Sequence, residues 1–209
     1  MTEEKILFYE DNRFDWQAVG RGAIVAHWYN GDVAFGQATA DIGYKALNQV
    51  SRFLGAQPPP EINVYVYANV DDLQSGLRLG GRTWVNGHAD PELGVVLVTA
   101  APGPEAVLNL ERDLPHELAH VMVYQIVGPG YDRMPPWLDE GLAMNSEQQP
   151  RSELEIALNK AAQADNLLPL NVLCAPFGID FNQALLSYAQ SKSVVRYILD
   201  RWGSARMNE

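Results

Sequence analysis

The sequence predicts an α+β fold, with strands in the first half of the chain and helices in the second. Four segments that end before residue 101 are rich in β-branched and aromatic residues, which is the composition of strands. From Gly103 onward, apolar residues instead recur at the spacing of amphipathic helices. The 209 residues suit a single domain, which we divide into an N-terminal α/β lobe of about residues 1–127 and a helical C-terminal lobe of about residues 128–209.

One long helix is predicted within the first half, between the second and third strands. Asn30-Gly31 predicts a turn and Asp32 predicts a helix N-cap, because its carboxylate can accept a bond from a free backbone N–H. The helix runs from Val33 to Leu54, and "GAQPPPE" ends it. Its apolar residues at helical spacing are Phe35, Ala38, Ile42, Ala46, Val50 and Phe53. The four predicted strands are "KILFYE" (5–10), "GAIVAHWY" (22–29), "INVYVYA" (62–68) and "GVVLVTA" (94–100).

Short elements are predicted between the last two strands. Asp71 or Asp72 can open a helical turn. The glycine, asparagine and proline content of "GGRTWVNGHADPE" (80–92) is typical of a loop that contains at most a short strand.

The second half is predicted to be helices and their connections. "PEAVLNLERDLPHELAHVMVYQIVG" (104–128) forms one long helix kinked at Pro115, or two pieces joined there. Because proline lacks an N–H, Pro115 fits best near a helix start capped by Asp113 or Leu114. The remaining segments are a loop "GPGYDRMPP" (128–136), a helix that starts at Pro136, a helix over residues 151–165, a connector "LPLNVLCAPFG" (168–178) and a helix over residues 180–202 ended by Gly203.

The composition is that of a soluble globular protein. Hydrophobic residues make up 47% of the chain and charged residues 20%, and the net charge is −11. An acidic surface repels nucleic-acid phosphates and anionic lipids, so we expect neither as a partner, and no apolar run is long enough to span a membrane. The N-terminus has no signal-peptide pattern, which leaves the localisation open between the cytosol and export after leader cleavage. Cys174 is the only cysteine, which excludes an internal disulfide, and we expect it to be a small buried side chain.

The segment "HELAH" (116–120) combines two potential metal ligands with a potential base. Residues four apart share a helix face, so His116 and His120 can place two imidazole nitrogens on one cation. Glu117 lies about 100° further round the helix, close to the cation without having to bind it. From there its carboxylate can take a proton from a metal-activated water.

The alternative is an ordinary amphipathic helix that carries these residues by chance. Leu114, Leu118, Val121 and Met122 form an apolar stripe beside the histidines, which indicates a helix buried between other elements. Two histidines without partners would be costly there. The metal site is therefore the favoured interpretation.

A hydrolytic zinc site needs a third protein ligand and one open position. Glu140 in "PPWLDEGLAMNSE" is the candidate, because the preceding loop contains glycines and prolines that can reverse the chain and lay a second helix on the first. We expect the face formed by Gly141, Leu142 and Ala143 to permit close packing of the two helices. Asp139 is the alternative third ligand.

The segments "HELAH" and "WLDEGLA" together resemble the gluzincin branch of the zincin metallopeptidases. The chain is most similar to the bacterial peptidase MA-like group, which shares "PHELAH", "PPWLDEGLA" and a later "YAQS…VRY" helix; the similarity is strongest over residues 60–203. The resemblance implies a zincin-like fold with the motif helix at the junction of the lobes. It also implies Zn²⁺ bound by His116, His120 and Glu140, with Glu117 as the base.

The sequence departs from this family at one supporting position. In thermolysin-type relatives, an acid one helical turn after the ligand glutamate supports a histidine, but here that stretch contains Met144 and Asn145. We expect the support to come from Asp139, Asn145 or Glu147.

Peptide hydrolysis also needs a donor for the oxyanion that develops on the carbonyl. Tyr188 matches the tyrosine of the "YAQS" segment and is our candidate, against the alternative that it only packs on an amphipathic helix. Tyr197, Tyr131 and Arg196 are weaker candidates.

Two further histidines lie in predicted strands or turns. The resemblance implies an edge strand that pairs with the substrate backbone; "GVVLVTA" is our candidate, and His88 before it could line a pocket or simply be solvated. We expect His27, within a strand, to be structural.

The resulting prediction is a zinc-dependent peptidase that acts on peptide or protein substrates. No acidic exopeptidase motif precedes residue 116, which favours an endopeptidase. A metal-binding protein with little catalysis and an interaction domain without metal are the alternatives. The resembled proteins are often exported, so the resemblance implies an extracytoplasmic location.

Overall fold

A mixed sheet of five strands organises the described part of the chain, which in this computed structural model comprises residues 11–77, 87–178 and 180–203. The strands are β1 (Gln17–Arg21), β2 (Ile24–Trp28), β3 (Ile62–Tyr67), β4 (Gly87–Asp90) and β5 (Val95–Thr99), in the spatial order β1-β2-β3-β5-β4. β2, β3 and β5 are parallel, and β1 and β4 pair antiparallel at the two edges.

Three of the four predicted strands are confirmed as β2, β3 and β5, while "KILFYE" lies outside the described residues. No residue pattern predicted β1, since "QAVGR" contains a single β-branched residue. The expectation that "GVVLVTA" is an edge strand is wrong, because β5 lies between β3 and β4. Its near-continuous apolar run is typical of an interior strand, and the edge belongs to the short β4.

Six helices accompany the sheet in the described ranges. They are α1 (Val33–Leu54), α2 (Val70–Leu77), α3 (Ala106–Val127), α4 (Pro136–Ser146), α5 (Ser152–Gln163) and α6 (Phe181–Trp202). Short 3-10 helices cover Gly128–Arg133 and Val172–Cys174. The prediction of a loop over residues 128–136 is therefore wrong for most of that segment, which is the first 3-10 helix. Only the residues just before α4 are irregular.

The first helix has the predicted bounds and cap. The Asp32 carboxylate accepts a hydrogen bond from the Phe35 N–H at 2.9 Å, and Gly55 ends the helix in the left-handed conformation with φ 68°. Ala38 is exposed rather than part of the buried face. At the start of α2 the cap is Asn69, whose side chain accepts from the Asp72 N–H, so neither predicted aspartate caps that helix.

Pro115 lies inside α3, so the expected helix start there, with Asp113 or Leu114 as cap, is wrong. Proline removes the hydrogen bond that its N–H would donate to the carbonyl four residues earlier. The helix continues because its middle turns, residues 113–123, are buried on every side. It packs against α1, α4, β4 and β5.

The two longest N-terminal helices, α1 and α3, cover one face of the sheet. Alternate strand residues such as Ile24, Val64, Val96 and Val98 are fully buried beneath them. On the opposite face, His27 bonds through Nε2 to the Asn63 side-chain oxygen at 2.8 Å and stacks on Tyr65, the structural role that we expected.

The C-terminal helices pack around α4. Gly141 lies where α4 crosses α6, so the small residue permits close approach to α6 rather than to α3. The expectation that Cys174 is buried is wrong: its side chain is exposed and the neighbouring Leu173 takes the buried position. No helix in the described ranges has the length and apolarity needed to cross a membrane.

We predict that Gly141→Ala lowers the free energy of unfolding by about 1–3 kcal/mol, because overpacking a close helix contact forces the backbones apart. A carbon added at residue 141 would lie 2.6 Å from the Ser191 carbonyl oxygen and overlap Val195. Urea denaturation measures the change. Gly20→Ala is the control, since an added carbon there comes no closer than 3.9 Å to any neighbour. Equal stability of the two variants would contradict the packing argument.

Candidate metal centre

Two adjacent helices bring three potential ligands together. His116 and His120 project from one face of α3, and Glu140 projects toward them from α4. The ligand atoms of these three residues all lie within 4.8 Å of one another. The same carboxylate oxygen, Glu140 Oε2, is 3.4 Å from His116 Nε2 and 3.8 Å from His120 Nε2. The structure thus brings together the three residues that the sequence singled out.

The Glu140 oxygen provides a test of whether a cation fits here. Glu140 Oε2 is buried and has no hydrogen-bond partner, which is costly for a carboxylate oxygen. Two imidazole nitrogens and a carboxylate oxygen are a donor set typical of a catalytic zinc site. A divalent cation between them would satisfy the oxygen, so the residues present fit the metal.

The surrounding charges also favour a cation. Burial lowers the pKa of His120, but Asp139 and Glu140 outweigh burial and raise that pKa to about 9. His116 behaves alike: Glu140 and Glu147 overcome burial and hold its pKa well above the usual value. Carboxylates that favour a proton on these imidazoles equally favour a metal ion between them.

A separate carboxylate faces the remaining nitrogen of each histidine. His116 Nδ1 forms a 3.1 Å hydrogen bond with Glu147 Oε1, and His120 Nδ1 lies 3.1 Å from Asp139 Oδ2. A carboxylate at Nδ1 favours the tautomer that leaves Nε2 free to bind a metal. Asp139, our alternative third ligand, therefore faces the nitrogen remote from Glu140. Asn145 supports neither histidine, because its amide donates to backbone carbonyls of α4 and α6.

Two arginines neutralise the carboxylates behind His116. Glu147 is fully buried and accepts three hydrogen bonds from Arg151, of 2.8–3.1 Å. Arg151 also reaches Asp113 at 3.3 Å, and Asp113 accepts two bonds from Arg112, of 2.7 and 3.0 Å. Desolvation raises the pKa of Glu147, but His116 and Arg151 outweigh it and leave that pKa below the usual value.

Glu117 lies beside the three ligands, between α3 and the edge strand. Burial is the main cause that raises the pKa of its carboxyl to about 7, against the opposing effect of His116 and His120. Gly87, the first residue of β4, leaves the space for this carboxylate: a side-chain carbon there would overlap Glu117 Oε1. A carboxylate with a pKa near neutrality, held between the three candidate ligands and a sheet edge, can exchange a proton with a molecule bound there.

A cavity of about 400 Å³ opens beside His116 and Glu117. One wall is polar, with Arg112, Asp113 and Arg151. The other wall is apolar and comes from α4, α5 and α6: Met144, Leu154, Phe181, Ala184 and Leu185.

The structure places Tyr188 on the wall of this cavity, with its ring edge-on to Phe177 at 5.0 Å. The weaker candidates do not line this cavity. Tyr197 is 59% exposed, Arg196 pairs with Asp200 on the surface, and the Tyr131 hydroxyl donates to Asp139. Tyr188 is therefore the candidate oxyanion donor that borders the site.

His88 does not line this cavity. Its side chain is exposed, and strand alternation directs it away from the face on which Gly87 meets Glu117. Sequence reasoning missed Gly87 because a single glycine in a loop-like segment carries no specific signal. It also missed the Arg112–Asp113–Arg151 cluster. The one available signal was that Arg151 follows Glu147 by four residues, which is the spacing of ion pairs in helices.

We predict that Arg151→Met lowers the free energy of unfolding by about 3 kcal/mol, because it leaves the fully buried Glu147 without its guanidinium partner. Urea denaturation of the metal-free protein measures this change. Arg196→Met is the control: its i, i+4 pair with Asp200 is exposed, so its loss should change stability by about 0.5 kcal/mol or less. A similar small effect for both variants would refute the role given to Arg151.

Comparison with known proteins identifies the family of the chain. The family model of the Peptidase MA superfamily matches residues 42–209, which include α3, α4 and α6. No curated protein matches the chain. Because the family model covers most of the sequence, the chain belongs to the Peptidase MA superfamily.

Proposed function

We propose that this protein is a zinc-dependent peptidase of the gluzincin type, a single zincin-like domain with its site between an α/β lobe and a helical lobe. The observation that carries the proposal is the buried Glu140 oxygen, which has no hydrogen-bond partner and lies 3.4 and 3.8 Å from two imidazole nitrogens. Membership of a peptidase superfamily supports the reaction class.

His116, His120 and Glu140 would hold the metal. Zinc bound there would supply a Lewis acid, which lowers the pKa of a water molecule and polarises the carbonyl to be cleaved. The protein's own task is to present two neutral imidazoles and one carboxylate. Glu147 and Asp139 serve this task by favouring a proton on each Nδ1.

Glu117 would be the general base. Its carboxylate takes a proton from the attacking water and passes it to the nitrogen of the leaving amine. Its place between α3 and Gly87 suits this role, because it adjoins both the ligands and the edge strand. Tyr188, on the cavity wall, would donate a hydrogen bond to the oxyanion.

The substrate would be an extended peptide that pairs with β4. This strand is an edge of the sheet in the described residues, and main-chain pairing is independent of sequence. The adjoining cavity would take one substrate side chain. We further propose cleavage within chains rather than at their ends, because no acidic exopeptidase motif precedes residue 116. An extracytoplasmic location rests on the family resemblance.

The alternative is a metal-binding protein with little catalysis, which the small size of the chain and the missing acid one turn after Glu140 would favour. Against the second reason, Glu147 and Asp139 face the two histidines.

We predict that Glu117→Gln retains zinc but lowers kcat by about 10²- to 10⁴-fold, because it removes the base without changing the ligands. Glu140→Gln should instead lose zinc and activity together. Metal content by mass spectrometry and cleavage of an internally quenched peptide library give the two readouts. Undiminished turnover by the Glu117→Gln variant would overturn the mechanism, and a wild-type protein without zinc would overturn the proposed function.

Gly87→Ala should lower kcat at least tenfold with zinc still bound, because the added methyl displaces the Glu117 carboxylate. Gly20→Ala, in the other edge strand, is the matched control and should keep full activity. If Gly87→Ala were as active as the wild type, Glu117 would not depend on its position against β4.

A further inference from the structure

The connector between the two ligand-bearing helices reaches back into the site through one side chain. Tyr131 lies in the 3-10 helix Gly128–Arg133, and its hydroxyl donates a 2.7 Å hydrogen bond to Asp139 Oδ2. That same oxygen lies 3.1 Å from His120 Nδ1. A tyrosine on the connector, an aspartate on α4 and a histidine on α3 thus meet at a single atom.

The Asp139 carboxylate has few other restraints. Its second oxygen, Oδ1, is buried without a hydrogen-bond partner. His120 Nδ1 pairs with Oδ2 at 3.1 Å, and the Tyr131 hydroxyl donates a hydrogen bond to the same oxygen. Among the described residues, no arginine or lysine forms an ion pair with this carboxylate. The Tyr131 hydroxyl is therefore the contact, besides His120 itself, that fixes the orientation of Asp139.

The other histidine is supported differently. Glu147, which faces His116, accepts three hydrogen bonds from the Arg151 guanidinium, so loss of one would leave two. Asp139, which faces His120, accepts a hydrogen bond from the neutral Tyr131 phenol instead of a guanidinium. Removal of the Tyr131 hydroxyl should therefore disturb the orientation of Asp139 more than loss of one Arg151 bond would disturb Glu147.

Tyr131 itself is well placed to act as a rigid donor. Its ring packs edge-on against Tyr124 of α3, with centroids 5.8 Å apart, and its carbonyl accepts a 2.9 Å bond from the Met134 N–H. The ring is thereby held against the end of α3, and the backbone of Tyr131 is fixed in the turn that leads into α4.

We propose that Tyr131 is a positioning residue for metal binding: its hydroxyl holds the Asp139 carboxylate against His120 Nδ1, which turns His120 Nε2 toward Glu140. The inference rests on the proposed function, since it concerns the same metal site. It assigns the connector a role beyond joining two helices.

The test is zinc affinity of the full chain, measured by competition with a chromophoric chelator. Tyr131→Phe, which removes only the hydroxyl, should weaken zinc binding about fivefold, the usual effect of one hydrogen bond. Asp139→Asn should weaken binding by about 10- to 100-fold. Tyr124→Phe removes a hydroxyl from the ring that packs on Tyr131 and is the matched control, with unchanged affinity expected. The visible absorption of the Co²⁺-loaded protein should change in Tyr131→Phe but not in Tyr124→Phe.

A double variant separates this role from a general effect on folding. The background is Asp139→Ala, which removes the acceptor of the Tyr131 hydroxyl that Asp139→Asn would keep. If Tyr131 acts through Asp139, adding Tyr131→Phe to Asp139→Ala should cause no further loss of affinity. An additional fivefold loss in that background, or wild-type affinity and Co²⁺ spectrum in Tyr131→Phe alone, would overturn the inference. Failure of the wild-type chain to bind zinc would instead overturn the proposed function, and this inference with it.

Discussion

A buried carboxylate oxygen without a hydrogen-bond donor is the constraint around which this site is built. Glu140 Oε2 lies within 4 Å of two imidazole nitrogens, in a place shielded from water. Such an oxygen is stable only if something positive accompanies it, a proton on a neighbour or a metal ion. The oxygen is enclosed because α4 packs between two other helices. On one side lies the buried part of α3, residues 113–123, and on the other side Gly141 lets α4 approach α6 closely.

The charges around the three candidate ligands link the site to the stability of the fold. Each histidine meets a carboxylate at both ring nitrogens, and this excess of negative charge favours a cation at the centre. On one flank, Arg112 and Arg151 offset the carboxylates of Asp113 and Glu147. On the other flank, the only compensating contact in the described residues is the Tyr131 hydroxyl. The unequal support of the two histidines follows from that difference.

The sequence predicted those features that depend on local periodicity and on short motifs. The bounds and cap of α1, three strands, and the helix face shared by His116 and His120 follow from residue spacing. The approach of Glu140 was indicated by the intervening loop and by the family resemblance. Features set by distant contacts were not predictable. Pro115 lies in the middle of α3 because tertiary packing outweighs its preference for a helix start. The edge position of β4 depends on its pairing with β5, which the four residues of β4 do not indicate by themselves. Gly87 was overlooked because its importance lies in the carboxylate that it leaves room for.

The proposed site has two imidazoles and one carboxylate on a single zinc ion, with a position left for a small exchangeable ligand. For the zinc-loaded full chain, this geometry predicts a zinc K-edge X-ray absorption signal from four nitrogen and oxygen neighbours at about 2.0–2.1 Å, with the scattering pattern of two imidazoles. A sulfur shell at about 2.3 Å, which would implicate the exposed Cys174, or the signature of fewer than two imidazoles would contradict it.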